Sequence, residues 1–207
     1  MEKQWLERWE VGRTGWHEAE GNSKLKEHWR ATGRRVLVPM CGKSADMKWL
    51  ADQGNQVFGV ELSHLAIEAF FAEQGLDYTV HDGDLSIYRA SEAEITVFCG
   101  NYFNLRSLQC DAHFDRGAFV AIAPELRPAY AAHTSSLLVP NSEQLLISLD
   151  YDDAVAIGPP FSVSDEEVLS YWPDLECIDK YDDIENAPPK FVEAGLTEMI
   201  EKVWCSP

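Results

Sequence analysis

Apolar positions along the chain follow two periods that alternate. Residues 2–10 place Trp5, Leu6 and Trp9 on one helical face, and residues 22–31 read as a second helix. The segment between them, GRTGWHEAEGN, is rich in turn-forming residues and reads as a loop over a pocket. Arg35-Val-Leu-Val is a short apolar run stopped by Pro39, which predicts a buried strand. A helix is expected over 44–53, with Met47, Leu50 and Ala51 on one face and Gly54 as its stop. Gln56 to Val60 is the next strand, ending at Glu61. Ser63 then caps a helix that buries Ile67, Phe70 and Phe71 and stops near Gly75.

After a stretch from 77 to 93 that fits neither period, Glu94–Cys99 and Ala112–Asp115 read as strands. Pro124–Leu138 reads as a helix and Gln144–Asp150 as a strong apolar strand. Residues 164–172 read as a further helix, and 175–181 and 197–204 as closing strands. Strands alternating with helices predict an α/β fold: a doubly wound, mostly parallel seven-stranded sheet with helices on both faces and an antiparallel last strand. With 207 residues and no linker or repeat, one domain is the default reading, its first 33 residues a helical segment over the site. Ligands of such sheets lie at the carboxyl ends of the strands. That rule gathers the loop after Val38, Glu61, the loop after Phe98 and the loop after Asp115.

Charge narrows the partners. Acidic residues outnumber basic ones 35 to 17, a net charge of -18, which opposes a nucleic-acid backbone. No apolar run is long enough for a membrane helix. The charged start, MEKQWLERWE, lacks the apolar centre of a secretory signal, so a cytoplasmic monomer is expected. The five cysteines and six histidines are scattered without zinc or disulfide spacing, and no metal is expected.

The stretch VLVPMCGKSADM holds GKS directly after a strand, as a phosphate-binding loop would. The required earlier glycine is absent, because Leu37 stands five residues before Gly42. A dinucleotide fingerprint is absent too, since Gly42 stands alone. What remains is one glycine where a ligand approaches the backbone, beside a helix start that favours a carboxylate. Glu61 lies about twenty residues on, where a carboxylate takes hydrogen bonds from ribose hydroxyls. Loop and carboxylate together describe S-adenosylmethionine; the plainer reading of Glu61 is a solvated charge beside a helix cap. Lys43 and Asp46 read as polar residues of a helix start, and Cys41 as a small buried filler.

The run VLVPMCGKSADMKWLADQGNQVFGVELSHLAIEAFF resembles the signature of the thiopurine S-methyltransferase family. CGNYFNL, FDRGAFVAIAPELRPAY, LDYD and GPPFSVS follow in the family's order, and the segment from Trp9 to His17 resembles its N-terminus. The resemblance implies a Rossmann-like class I methyltransferase that moves a methyl group from S-adenosylmethionine to the thiol of a thiopurine or similar small aromatic thiol. Bacterial relatives methylate selenium or tellurium compounds as well, which implies a detoxifying role. Carried over, the family's cofactor contacts fall on Trp9, Met40, Glu61 and Arg116; Gly42 of the loop and Asn101, Tyr102 and Phe103 of CGNYFNL complete the candidate cofactor set. Met40 stands where relatives have leucine, and Asn101 where many have aspartate, its side-chain oxygen able to accept from the adenine amino group.

Arg116 is the candidate catalytic residue, its permanent cation orienting the acceptor; the alternative is a salt bridge to a neighbouring carboxylate. Trp16, His17 and Arg127 are candidates for the acceptor side. Trp16 serves equally as core packing, His17 as a polar contact and Arg127 as a solvated residue of a helix start. Two further functions keep the same cofactor residues: a halide or thiocyanate methyltransferase, and a non-catalytic S-adenosylmethionine-binding protein.

Overall fold

The computed structural model describes residues 2–207. In chain order its first elements are α1 (Glu2–Glu10), α2 (Ser23–His28), β1 (Arg35–Val38), α3 (Asp46–Asp52), β2 (Gln56–Glu61) and α4 (His64–Gln74). Then come β3 (Tyr78–His81), β4 (Ser86–Ala90), β5 (Ile95–Cys99), β6 (Cys110–Arg116) and α5 (Arg127–Ser136). The last are β7 (Leu138–Asp150), α6 (Asp165–Tyr171), β8 (Glu176–Asp182), α7 (Pro189–Glu193) and β9 (Ile200–Cys205). Two compact units divide the chain, the first ending at Ala112 and the second spanning His113–Pro207.

In the first unit the strands run in the order β3-β4-β5-β2-β1. The buried runs of β1, β2 and β5 pair in parallel, with Val36 beside Val57 and Gly59 beside Val97. The α3 helix packs so closely on β2 that a side chain at Gly59 would meet the sulfur atoms of Cys41 and Met47 at 2.8 Å. Ser63 caps α4 by accepting from the Ala66 N–H, and Gly75 ends it at φ 63°. The buried face of α4 is Ala66, Ile67, Phe70 and Phe71.

Three expectations need correction here. The stretch 77–93 holds an antiparallel hairpin, β3–β4, whose second strand pairs antiparallel with β5. With it the described residues form nine strands, not seven, and a sheet less parallel than expected. The expected helices 22–31 and 44–53 also shorten, whereas α1 keeps the expected bounds. Trp29 leaves the helical region at ψ 129°, and its indole donates to the Ala31 carbonyl, so α2 stops at His28. Ser44 turns its hydroxyl to the Asp46 N–H and carboxylate, so α3 starts two residues late.

In the second unit the order is β6-β7-β9-β8, with β9 antiparallel to both β7 and β8. The antiparallel last strand agrees with the sequence reading. The expected helix 124–138 splits, because Pro128 suits the first turn of a new helix at Arg127, and Pro124–Leu126 form a 3-10 turn before it. β7 begins at Leu138, six residues before the expected start. Trp204, Tyr130, Phe114, Phe119 and Phe191 are fully buried here.

Candidate functional site

The loop after β1 folds back on β2. Cys41 N–H donates to the Val60 carbonyl at 3.0 Å, and Met40 has a positive φ of 46°, uncommon for a side chain with a Cβ. Gly42 follows at φ 54°, and its N–H donates to Glu61 Oε2 at 2.9 Å. The other carboxylate oxygen, Oε1, accepts from the Ser63 N–H at 2.8 Å. Glu61 is therefore no solvated charge: it is 7% exposed and bridges the β1 loop to the start of α4. Burial pushes its carboxyl above the usual range, against the opposing pull of the Ser63, Gly42 and Leu62 N–H groups.

The remaining cofactor candidates of the first unit join Glu61 in a closed circuit. Trp9 lies on Gly42, where an added Cβ would meet its Cζ2 at 3.2 Å. The Glu61 carbonyl accepts from Gly100 N–H at 2.8 Å, which fixes the loop after β5. Asn101 next to it accepts from Phe103 N–H through Oδ1 and donates from Nδ2 to Glu2 Oε1. Glu2 and Trp9 both belong to α1, so the N-terminal helix touches the site at both its ends. The Asn101 oxygen assigned from the sequence to adenine already caps a 3-10 turn, Tyr102–Asn104. Tyr102 is buried there and Phe103 half-buried, their rings edge to face at 5.9 Å.

Trp16 meets both α1 tryptophans edge to face, at 5.3 Å from Trp5 and 5.9 Å from Trp9, and the Arg8 guanidinium lies over the Trp5 ring. His17 Nε2 stands 3.7 Å from Glu73 on α4, and the Lys43 ammonium reaches the same carboxylate at 2.5 Å. Glu2, Arg8 and Glu73 were not found from the sequence. Their acidic and basic side chains carry no local signal beyond those of a solvated helix. Burial and the nearby Glu61 carboxylate push the Cys41 thiol well up, so it is an inert filler.

Arg116 and Arg127 belong to the second unit. Arg116 ends β6, half-buried, and Gly117 follows at φ 86°. The preceding Asp115 is fully buried; its Oδ1 accepts from Phe119 N–H at 3.0 Å and its Oδ2 from the Tyr130 hydroxyl at 2.5 Å. Burial lifts its carboxyl to about 6, opposed by the Tyr130, Phe119 and Ala118 donors. Two residues earlier on the same strand face, burial lowers His113 to about 4, with the Gln144 side chain as its partner.

The solvated reading of Arg127 is overturned. It is 1% exposed, paired with Glu167 at 2.5 Å, and donates to the Ile122 and Ser162 carbonyls. Its guanidinium also lies over the Phe119 ring, 5.4 Å from the centroid. The segment it braces borders a cavity of about 330 Å³ lined by Pro124, Tyr151, Ile157, Phe161 and Ser162, among others. Phe161 N–H donates to the Val120 carbonyl, which ties that wall to the turn after Arg116.

The chain is similar to known proteins along nearly all of its length. The family described as thiopurine S-methyltransferase matches residues 1–206. The thiopurine S-methyltransferase of Bordetella petrii is 45% identical, covering 94% of this chain and 93% of its own. That of Pseudomonas fluorescens is 43% identical, over 97% and 95%. Among solved structures, the 1,6-didemethyltoxoflavin-N1-methyltransferase of Burkholderia thailandensis, with bound S-adenosylhomocysteine, superposes at a TM-score of 0.65. It is 16% identical, covers 99% of this chain and 86% of its own, and so speaks for the fold alone. A TehB-like S-adenosylmethionine-dependent methyltransferase from Corynebacterium glutamicum superposes at 0.55, with 14% identity over 100% and 98% of the two chains. With residues 1–206 matched by the family and these two relatives at 45% and 43% identity, the chain belongs to the thiopurine S-methyltransferase family.

Proposed function

We propose that this protein transfers the methyl group of S-adenosylmethionine to the thiol of a thiopurine or a similar small heterocyclic thiol, leaving S-adenosylhomocysteine. The observation that carries the reading is the Glu61 carboxylate, buried at the end of β2 and bound to the Gly42 N–H beneath the Trp9 ring. A carboxylate has about four acceptor sites, and the Gly42 and Ser63 N–H groups take one on each oxygen, with Leu62 N–H also drawn to the group. The remaining acceptor capacity suits the hydroxyls of a ribose. Trp9 supplies a flat apolar face, Met40 and Gly42 a backbone approach, and Asn101, Tyr102 and Phe103 the wall at the adenine end.

Bound S-adenosylmethionine supplies an electrophilic sulfonium methyl, and the protein's task is chiefly orientation. Holding two reactants in line is worth roughly 7–11 kcal/mol. The nucleophile is a thiolate, reached readily from a thiol whose free value is about 8.5. Arg116 orients the acceptor and favours its anionic form; the thiol proton leaves to solvent when the thiolate forms, before methyl transfer. The cavity beside Tyr151 and Phe161 is the proposed acceptor pocket, near the lower end of ligand-site sizes, about 300–1,000 Å³. Arg127 acts on the acceptor through that pocket's wall, by holding the Ser162 carbonyl. Trp16 and His17 hold the N-terminal segment over the cofactor loop. The whole chain acts as one methyltransferase domain, with residues 1–33 covering the active site. The proposal includes a cytoplasmic monomer without a nucleic-acid partner, in keeping with a net charge of -18. Among the described residues no helix is long and apolar enough to cross a membrane.

Calorimetry with S-adenosylmethionine and S-adenosylhomocysteine on wild type and Glu61→Ala tests the cofactor site. Wild type binds both and the variant loses at least tenfold in affinity; equal affinities would remove the ribose assignment. Labelled-methyl transfer to a thiopurine tests the reaction. Turnover with halide or thiocyanate alone would favour the halide enzyme, and binding without any transfer would favour a non-catalytic protein.

A further inference from the structure

Arg116 stands between two buried anchors. On one side is Asp115, with no exposed surface, near the end of a strand that also buries Ala112, His113 and Phe114. On the other are Ala118 and Phe119, both fully buried as well. The Asp115 carboxylate joins the two sides: Oδ1 takes the Phe119 N–H, and Ala118 N–H contributes to the same group. Gly117, at φ 86°, lets the chain reverse within this closed turn without a Cβ in the left-handed region. The second oxygen is held from α5 by the Tyr130 hydroxyl, whose ring stacks on Phe119 at 6.0 Å and 24°. Arg116 is thus the one side chain longer than a methyl group in the turn between two fixed points.

We infer that Asp115 is a positioning residue for the methyl-transfer reaction, its carboxylate closing the 115–119 turn so that Arg116 is presented in one orientation. A buried carboxylate is a costly way to hold a strand end, since an apolar residue of similar size packs there without desolvation. Its two oxygens, however, are what bind a turn and a helix at once. Tyr130 belongs to the same device, one step further out. The inference rests on the proposed role of Arg116.

A double-mutant cycle on the full chain tests it, reading kcat/KM for a thiopurine together with the urea midpoint. Arg116→Ala and Asp115→Ala are each expected to lower kcat/KM at least tenfold. In the Arg116→Ala background, Asp115→Ala is expected to cost less than a further twofold, while its effect on the urea midpoint stays the same in both backgrounds. Asp115→Asn, which keeps an acceptor for Phe119 N–H, recovers most of the loss. Fully multiplying effects on kcat/KM would overturn the inference and leave the Arg116 reading standing. Unchanged activity in Arg116→Ala would overturn both. If Asp115→Ala does not fold, Tyr130→Phe takes its place in the cycle, with an expected three- to tenfold loss that again vanishes without Arg116.

Discussion

His113 and Asp115 lie two residues apart on the same strand face, Nε2 to Oδ2 at 3.9 Å, and both are fully buried. Their pH dependences have opposite signs. His113 drops from 6.5 to about 4 on folding, so the folded chain sheds a proton the unfolded chain keeps. That group alone makes stability rise with pH between about 4 and 6.5. Asp115 rises from 3.8 to about 6, so the folded chain keeps a proton the unfolded chain sheds. That group alone makes stability fall as pH rises between 3.8 and 6. At about 1.4 kcal/mol per pH unit, each effect is worth about 3 kcal/mol. Near pH 5 folded and unfolded chains each hold one proton on this pair, so the two effects cancel in the wild type. Asp115→Asn leaves the histidine uncompensated. Relative to wild type, its unfolding free energy should fall by about 3 kcal/mol from pH 6.5 to 4. His113→Gln should show the reverse, gaining about 3 kcal/mol over the same descent. Urea melts at half-unit pH steps measure both, and taking differences from wild type removes the shared titration of the other carboxylates. A flat difference curve for either variant between pH 4 and 6.5 would refute the reasoning.

Three other perturbations have definite outcomes. Gly42→Ala places a methyl 3.2 Å from Trp9 at a positive φ, which should lower stability by about 1–2 kcal/mol in urea melts and weaken S-adenosylmethionine in calorimetry. Glu73→Gln removes a partner shared by His17 and Lys43 on a half-exposed helix face, so stability should move by less than about 1 kcal/mol. Trypsin should nonetheless cut at Arg13 faster in that variant. Arg127→Met strands the Ile122 and Ser162 carbonyls and the Glu167 carboxylate, which is 27% exposed. It should cost roughly 2–4 kcal/mol and raise KM for the thiol more than for the cofactor.

What could be read from the sequence follows from where the information is local. β1, β2 and β5 are continuous apolar runs because both their faces are covered, and that pattern survives without any partner in view. The Ser63 cap and the Gly75 stop lie within a few residues of the groups they satisfy. The β3–β4 hairpin gave no such signal. All four residues of β3 are exposed, so its side chains follow no burial period, and only backbone pairing makes it a strand. Arg127 failed for a related reason. In PELRP it looks like a helix start facing water, and the groups that bury it, Ser162 and Glu167, lie 35 and 40 residues further on. Asp115 read as a mere strand end because the hydroxyl that holds it comes from a helix 15 residues away.

The GKS tripeptide shows how a local motif is decided by its surroundings. A phosphate loop needs backbone N–H groups and a lysine that are both open to an incoming anion. Here the Gly42 N–H already donates to the Glu61 carboxylate, and the Lys43 ammonium already meets Glu73. A phosphate entering the loop would confront a fixed negative charge where a phosphate site presents positive ends. The ribose of the proposed reading brings neutral hydroxyls, which are donors suited to that same carboxylate. The replacement of an early glycine by Leu37 therefore does more than remove a turn: it lets the strand run on until the loop meets the acid at the end of β2. The lysine, without an anion to bind, secures the helix that also holds His17. The loop that resembles a nucleotide triphosphate site is in this way organised around an acceptor of hydrogen bonds, and the proposed ribose contact rests on that acceptor.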